Sequence, residues 1–137
     1  MKRRHFLLVL FSSLVLQLAL SSLGCKSKAT LDADVDHLLV AIGGSDYEHF
    51  KADAHPALVT EVSKEEFDGM AKVLKKLGPI KSKTMTAIRV KAGAPTEGNY
   101  NLEFANGSCS LSIKSADGKL AGFHFTGPDI QRLSKTP

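Results

Sequence analysis

Two cysteines, Cys25 and Cys109, and the run His49, Asp53 and His55 are the residues whose types and spacing could do chemistry. His49 and Asp53 lie four apart, about one helical turn, and His55 follows closely, so the three could converge on a metal ion. That donor set is small and loosely spaced, and the short helix that would align it can end before Asp53. The expectation is therefore a solvated surface cluster, with no metal and no other cofactor. Cys109 would act as a nucleophile only beside a base that lowers its thiol pKa. It alternates with polar residues in a strand-like pattern, and its expected neighbours are Phe104 and Phe125, so a buried, inert thiol is expected. The serines offer no Gly-x-Ser-x-Gly turn, and "AIGGSD" lacks the lysine of a phosphate-binding loop. No catalytic residues are assigned.

Cys25 takes its meaning from what precedes it. Lys2, Arg3 and Arg4 make a positive start, Phe6 to Leu20 is nearly continuous apolar sequence, and small residues lead to Cys25. That order is the one found in a secretory signal, and the basic start would keep its own side cytoplasmic. The expected division is a signal over residues 1–24, a short tether over 25–29, one domain over 30–128 and a tail over 129–137. The whole chain has 18 basic and 14 acidic side chains, a net charge of +4. Beyond residue 24 the count is 15 against 14, so the basic balance belongs to the leading segment. A nucleic-acid surface needs clustered basic residues, and no such stripe exists there, which excludes nucleic acid as a partner. The 113 residues that remain suffice for one small hydrophobic core.

The elements that would build this core follow from periodicity. Thr30 is a candidate helix cap with Asp32, Asp34 and Asp36 near the positive end, and Leu31, Val35, Leu38, Leu39 and Ile42 recur along one face. Gly43-Gly44 is the expected stop in left-handed backbone. A second short helix is expected near Asp46 to Ala52, ending before Pro56. "SKEE" at Ser63 to Glu66 is a capping box, followed by Phe67, Met70, Leu74 and Leu77 at helical spacing and a Gly78-Pro79 stop.

After Pro79 the period becomes two. Thr86, Ile88 and Val90, then Tyr100, Leu102 and Phe104, then Cys109, Leu111 and Ile113, then Ala121, Phe123 and Phe125 mark four strands. A two-residue turn at Asn106-Gly107 pairs Phe104 with Cys109 and Leu102 with Leu111. At the last turn, a three-residue loop Ala116-Asp117-Gly118 pairs Leu111 with Phe123, whereas a two-residue turn would slip the apolar face by one. The fold class is α+β: two or three N-terminal helices packed on the apolar face of a curved four-stranded antiparallel sheet.

This arrangement, with "GSDY" after the first helix and "GKLAGF" in the last strand, resembles the nuclear transport factor 2-like superfamily, in particular its small domains in exported bacterial proteins. The resemblance covers about Thr30 to Thr126. It implies a cone of helices on a curved sheet, often with a pocket at the open end, for which Tyr47, Phe50, Phe67 and Tyr100 are the candidate lining residues. Members of that superfamily include isomerases, dehydratases and non-catalytic binding or dimerising modules, so the likeness assigns no activity. Steroid-isomerase-like members use an acid and a tyrosine in the pocket. Here Glu103 alternates outward from the apolar face that carries Tyr100, so that chemistry is not carried over.

"LSSLGC" also resembles the cleavage site of bacterial lipoproteins, with Gly24 as the small residue before the cysteine, although Ser22 and Leu23 depart from its commonest form. The expectation is an exported, membrane-anchored envelope protein with lipid on Cys25. Its expected role is a non-catalytic binding or interaction module for a small ligand or a protein, with a homodimer through the outward sheet face (Ser110, Ser112, Lys114, His124) among the partners considered. The rival readings are an isomerase- or dehydratase-like enzyme with a pocket in the cone, an envelope inhibitor or immunity-type lipoprotein, and, for location, a secreted soluble protein.

Overall fold

Ser45, rather than the glycine pair before it, ends the first helix. In the computed structural model, which describes residues 27–136, this helix (α1) covers residues 27–44, and Gly43 and Gly44 remain within it. Ser45 takes the left-handed conformation at φ +52°. Its N–H donates to the Ile42 carbonyl (3.1 Å) and that of Asp46 to the Ala41 carbonyl (2.8 Å), the paired bonds that close a helix C-terminus. The expected signal (1–24) and Cys25 lie outside the described residues. Three of the five tether residues, Ser27, Lys28 and Ala29, are already helical. Leu31, Val35, Leu38, Ala41 and Ile42 are buried on one face, close to the expected stripe.

The Asp46 carboxylate caps α2 (Tyr47–Asp53), accepting from the His49 N–H at 2.9 Å. Pro56 ends one helix, as expected, and also begins another. It occupies the first turn of α3 (Pro56–Glu61), where a missing N–H leaves no bond unmade, and His55 Nδ1 accepts from the Ala57 N–H. This extra helix escapes a periodicity search because it is only six residues long. The capping box at Ser63 and Glu66 opens α4 (Lys64–Lys76) with both reciprocal bonds formed, at 3.2 and 2.9 Å. Phe67, Ala71 and Leu74 are its buried positions.

The four strands are β1 (Ile80–Arg89), β2 (Thr96–Phe104), β3 (Gly107–Ala116) and β4 (Lys119–Thr126), joined in that order as an antiparallel sheet. The expected α+β arrangement is thus present, with four helices before the sheet. β1 starts directly after Pro79 and carries two bulges, at Ile80/Ser82 and Met85/Ala87. Val90 lies beyond the strand, and Ile88 and Val90 are exposed rather than core residues.

Both hairpin registers differ from expectation. The first turn is Ala105-Asn106, so Phe104 pairs with Gly107, Leu102 with Cys109 and Tyr100 with Leu111. The shift is two residues, which keeps every apolar side chain on its expected face. Gly107 sits after the turn at φ +156°, where α5 (Pro128–Ser134) approaches it; a Cβ would stand 2.7 Å from Asp129 Oδ2 and 2.9 Å from Leu77 Cδ2. The last turn has two residues, Asp117 (φ +54°) and Gly118 (φ +72°), with Ala116 opposite Lys119. A bulge between Lys114 and Ser115 on one side and Leu120 and Gly122 on the other then corrects the face, so Ile113 meets Phe123 and Leu111 meets Phe125.

The expected tail is partly α5. Asp129 Oδ2 accepts from the Ser108 N–H at 3.0 Å, and Ile130 and Leu133 pack against the core. Among the described residues no helix is long and apolar enough to cross a membrane.

Candidate functional site

Three of the four residues expected to line a pocket come together and fill the space themselves. Tyr47 and Phe50 of α2 stack at 5.8 Å between ring centroids, Phe50 and Phe67 of α4 lie 5.2 Å apart, and Phe123 of β4 meets Phe50 edge-on at 5.9 Å. Phe50 and Phe67 are buried, and the Tyr47 hydroxyl donates to the Val62 carbonyl at 2.6 Å. These rings are packed core with satisfied polar tips. Tyr100 is also buried but is engaged elsewhere, its hydroxyl donating to Asp32 Oδ1 of α1 at 2.7 Å. Burial, then the Asp32 bond and charge, hold the Tyr100 hydroxyl far above the usual phenol range. Burial alone would raise the Asp32 carboxyl, but bonds from Lys28 and Tyr100 and the charges of Lys28 and Lys83 outweigh it and bring it below the usual value.

Cys109 is buried and free, with Leu102 and not Phe104 across the strand pair because of the register shift. Burial, with Asp129 adding to it, pushes its thiol up to about 11, which is the environment of an inert thiol. His124 turns outward while Phe123 and Phe125 face the core. Cys25 lies outside the described residues.

The histidine–carboxylate run is divided differently from its sequence order. His55 leaves the group to cap α3, whereas His37 of α1 joins it. His37 Nδ1 lies 3.4 Å and His49 Nε2 3.2 Å from the same oxygen, Asp53 Oδ2. His49 Nε2 has no hydrogen-bond partner among the described residues, so its approach to Asp53 lacks hydrogen-bond alignment. Among the described residues no three such side chains are arranged to hold a metal.

His37 and Asp53 border a cleft of about 530 Å³ between α1, the end of α2 and the last turn. Asp34 and Lys119 line it too. Burial raises the Asp34 carboxyl above the usual range; a Ser115 hydrogen bond and His37 oppose this, and Asp53 adds to it. Sequence reasoning placed Asp34 merely among the acids of a helix start. The missed signal was its position three after Leu31 and four before Leu38, on the buried stripe itself.

A second surface feature follows β1. Val40 is 63% exposed and Ile80 42%, and both line a groove of about 450 Å³ between α1 and β1. Ile88, further along the same strand, is also 42% exposed. Compared with known proteins, the chain matches no protein-family model and no curated protein sequence.

Proposed function

We propose that this chain is an exported envelope protein, anchored by lipid on Cys25, whose domain is a non-catalytic module that binds a protein partner along β1. The observation that carries the binding half is the contrast between the interior and the surface. The candidate pocket residues Tyr47, Phe50 and Phe67 fill the interior with rings, while Val40, Ile80 and Ile88 stand exposed beside an open sheet edge. Exposed apolar side chains beside a groove, here Val40 and Ile80, are characteristic of a protein-binding surface. The two bulges break the row of free main-chain groups into short runs, which discourages indiscriminate strand pairing and leaves the groove side chains to choose a partner.

Support for the anchor comes from the other cysteine. Cys109 lies inside the core with its thiol pushed up to about 11, an environment that disfavours thiolate chemistry and so leaves Cys25 available for a lipid. With α1 in place by residue 27, a lipid on Cys25 would seat the domain close to the membrane surface. Stable anchoring needs more than one acyl chain. An inhibitor or immunity-type role would be one form of this partner binding.

One preparation tests both halves: mature protein purified from membranes, with a photo-crosslinking amino acid in place of Lys81. The expected intact mass is that of the chain from residue 25 with added diacylglycerol and acyl groups, and irradiation gives one discrete protein adduct. An unmodified soluble product overturns the anchor. Adduct formation equal to that from a crosslinker at Ser110, on the opposite sheet face, overturns the edge as the binding surface.

A further inference from the structure

Asp34 occupies a position where the helix pattern calls for an apolar side chain. It is 7% exposed, and its Oδ2 has no hydrogen-bond partner among the described residues. A buried carboxylate oxygen without a donor is costly, and proteins keep few of them. Asp34 lines the 530 Å³ cleft together with Asp53, while Ala29, Ala33, Ala52 and Gly118 supply small, apolar walls. The cleft therefore combines room, aliphatic contact surface and two carboxylates.

We propose that this cleft binds a small organic molecule through a primary ammonium group, which donates to Asp34 and Asp53. An ammonium brings three donors and a positive charge, which is what an orphaned acceptor beside a second carboxylate lacks. The volume is far larger than a bare ion requires, and among the described residues no set of three side chains is placed to ligate a metal. The raised Asp34 carboxyl fits the same picture, because burial without a cation disfavours its charge. Lys119 also lines the cleft, its Nζ donating to the Ala52 carbonyl at 3.4 Å. Its positive charge disfavours a polyamine and suits a ligand with an anionic group at its far end. Asp34 Oδ2 is shielded from water, so an entering ammonium reaches it only by displacing a neighbouring side chain at the cleft wall.

The test uses the full chain in detergent and titrates 6-aminohexanoate, with hexanoate as the probe lacking the ammonium, while recording amide NMR shifts. The expected result is saturable shifts at Ala33, Ala52 and Gly118 with 6-aminohexanoate at millimolar concentration and none with hexanoate. Asp34→Asn keeps the shape, removes the charge and weakens binding by about tenfold or more. Ala33→Leu, on the exposed side of α1, fills the cleft and abolishes the shifts without touching either carboxylate. It gives the answer even if the Asp34 variant fails to fold. No saturable shift with 6-aminohexanoate, equal binding of hexanoate, or wild-type affinity in both variants each overturns the proposal.

Discussion

The two edges of the sheet are tied to the helices by different physics. At β4 the closure is made by backbone and rings. Ala54, between α2 and α3, forms a parallel bridge with Leu120, and the His55 N–H donates to the Leu120 carbonyl at 2.7 Å. Phe50 meets Phe123 edge-on, and Ile130 and Leu133 of α5 pack onto the same core. At β1, beside Met85, which packs against the core, charged and hydrogen-bonded ties to α1 stand out. Lys83 pairs with Asp36 and donates to the Asp32 carbonyl at 3.3 Å, while Tyr100, on the neighbouring strand, donates to Asp32. Apolar contacts and main-chain bonds hardly respond to salt or pH, whereas surface charge pairs respond to both. The covered edge is thus the less sensitive of the two to salt and pH, and the strapped edge the more sensitive.

The largest effect should come from breaking the covered edge. Phe50→Ala removes the ring that joins α2, α4 and β4, and by analogy with other buried aromatic truncations costs about 3–5 kcal/mol. Urea unfolding monitored by circular dichroism measures it. A loss below about 1 kcal/mol, the level of an ordinary surface change, would mean that the rings do not hold this edge.

How far the sequence revealed these two edges depends on which signals are local. The capping box, the helix stripes and the inward set Tyr100, Leu102, Cys109, Leu111 and Ile113 are local or periodic, and they lie where expected. Register was readable only modulo two. Alternation distinguishes the faces of a strand, but it cannot distinguish a turn at Ala105-Asn106 from one at Asn106-Gly107, because the two pairings differ by two residues. The last hairpin shows the converse: a two-residue turn and an internal bulge together produce the face that a three-residue loop was expected to give. The cleft was less legible still. His37 and Asp53 are distant in sequence, Lys119 arrives from the last hairpin, and only Asp34's place on the apolar stripe was visible beforehand. β1 was half misread because Thr86, Ile88 and Val90 alternate like a core strand, whereas bulges and an open edge leave Ile88 and Val90 exposed.

An intermediate effect is expected at the strapped edge. Tyr100→Phe keeps the buried ring and deletes its bond to Asp32, costing about 1.5–3 kcal/mol near neutral pH, as for a hydrogen bond to a charged group. The Asp32 carboxyl sits below its ordinary 3.8 in the folded state, so the stability it supplies is present above that value and lost as pH falls through the lower folded one. The difference between wild type and Tyr100→Phe should therefore be full at pH 5–7 and shrink below about 3.8. Guanidinium would screen the charges involved, so the measurement belongs in urea. A difference that stays constant down to pH 2 would separate the tyrosine's contribution from the Asp32 charge and weaken the contrast between the edges.

The smallest effect on stability, and the sharpest on function, is expected from Ile88→Thr and Ile80→Thr. Both side chains are already 42% exposed, and threonine keeps the β-branched shape that suits a strand. Each change should therefore alter unfolding free energy by no more than about 0.5 kcal/mol. If β1 is the partner surface, the same changes weaken the adduct formed from a crosslinker at position 81, because apolar contact is what they remove. A loss of stability comparable to that of Phe50→Ala would show that these residues are buried in the working protein and that β1 is already covered by its own chain. Unchanged stability with an unchanged adduct would separate exposure from recognition. Partner choice would then have to be assigned to the charged strap of Lys83, Asp32 and Asp36, whose binding would fall with added salt where apolar docking would not.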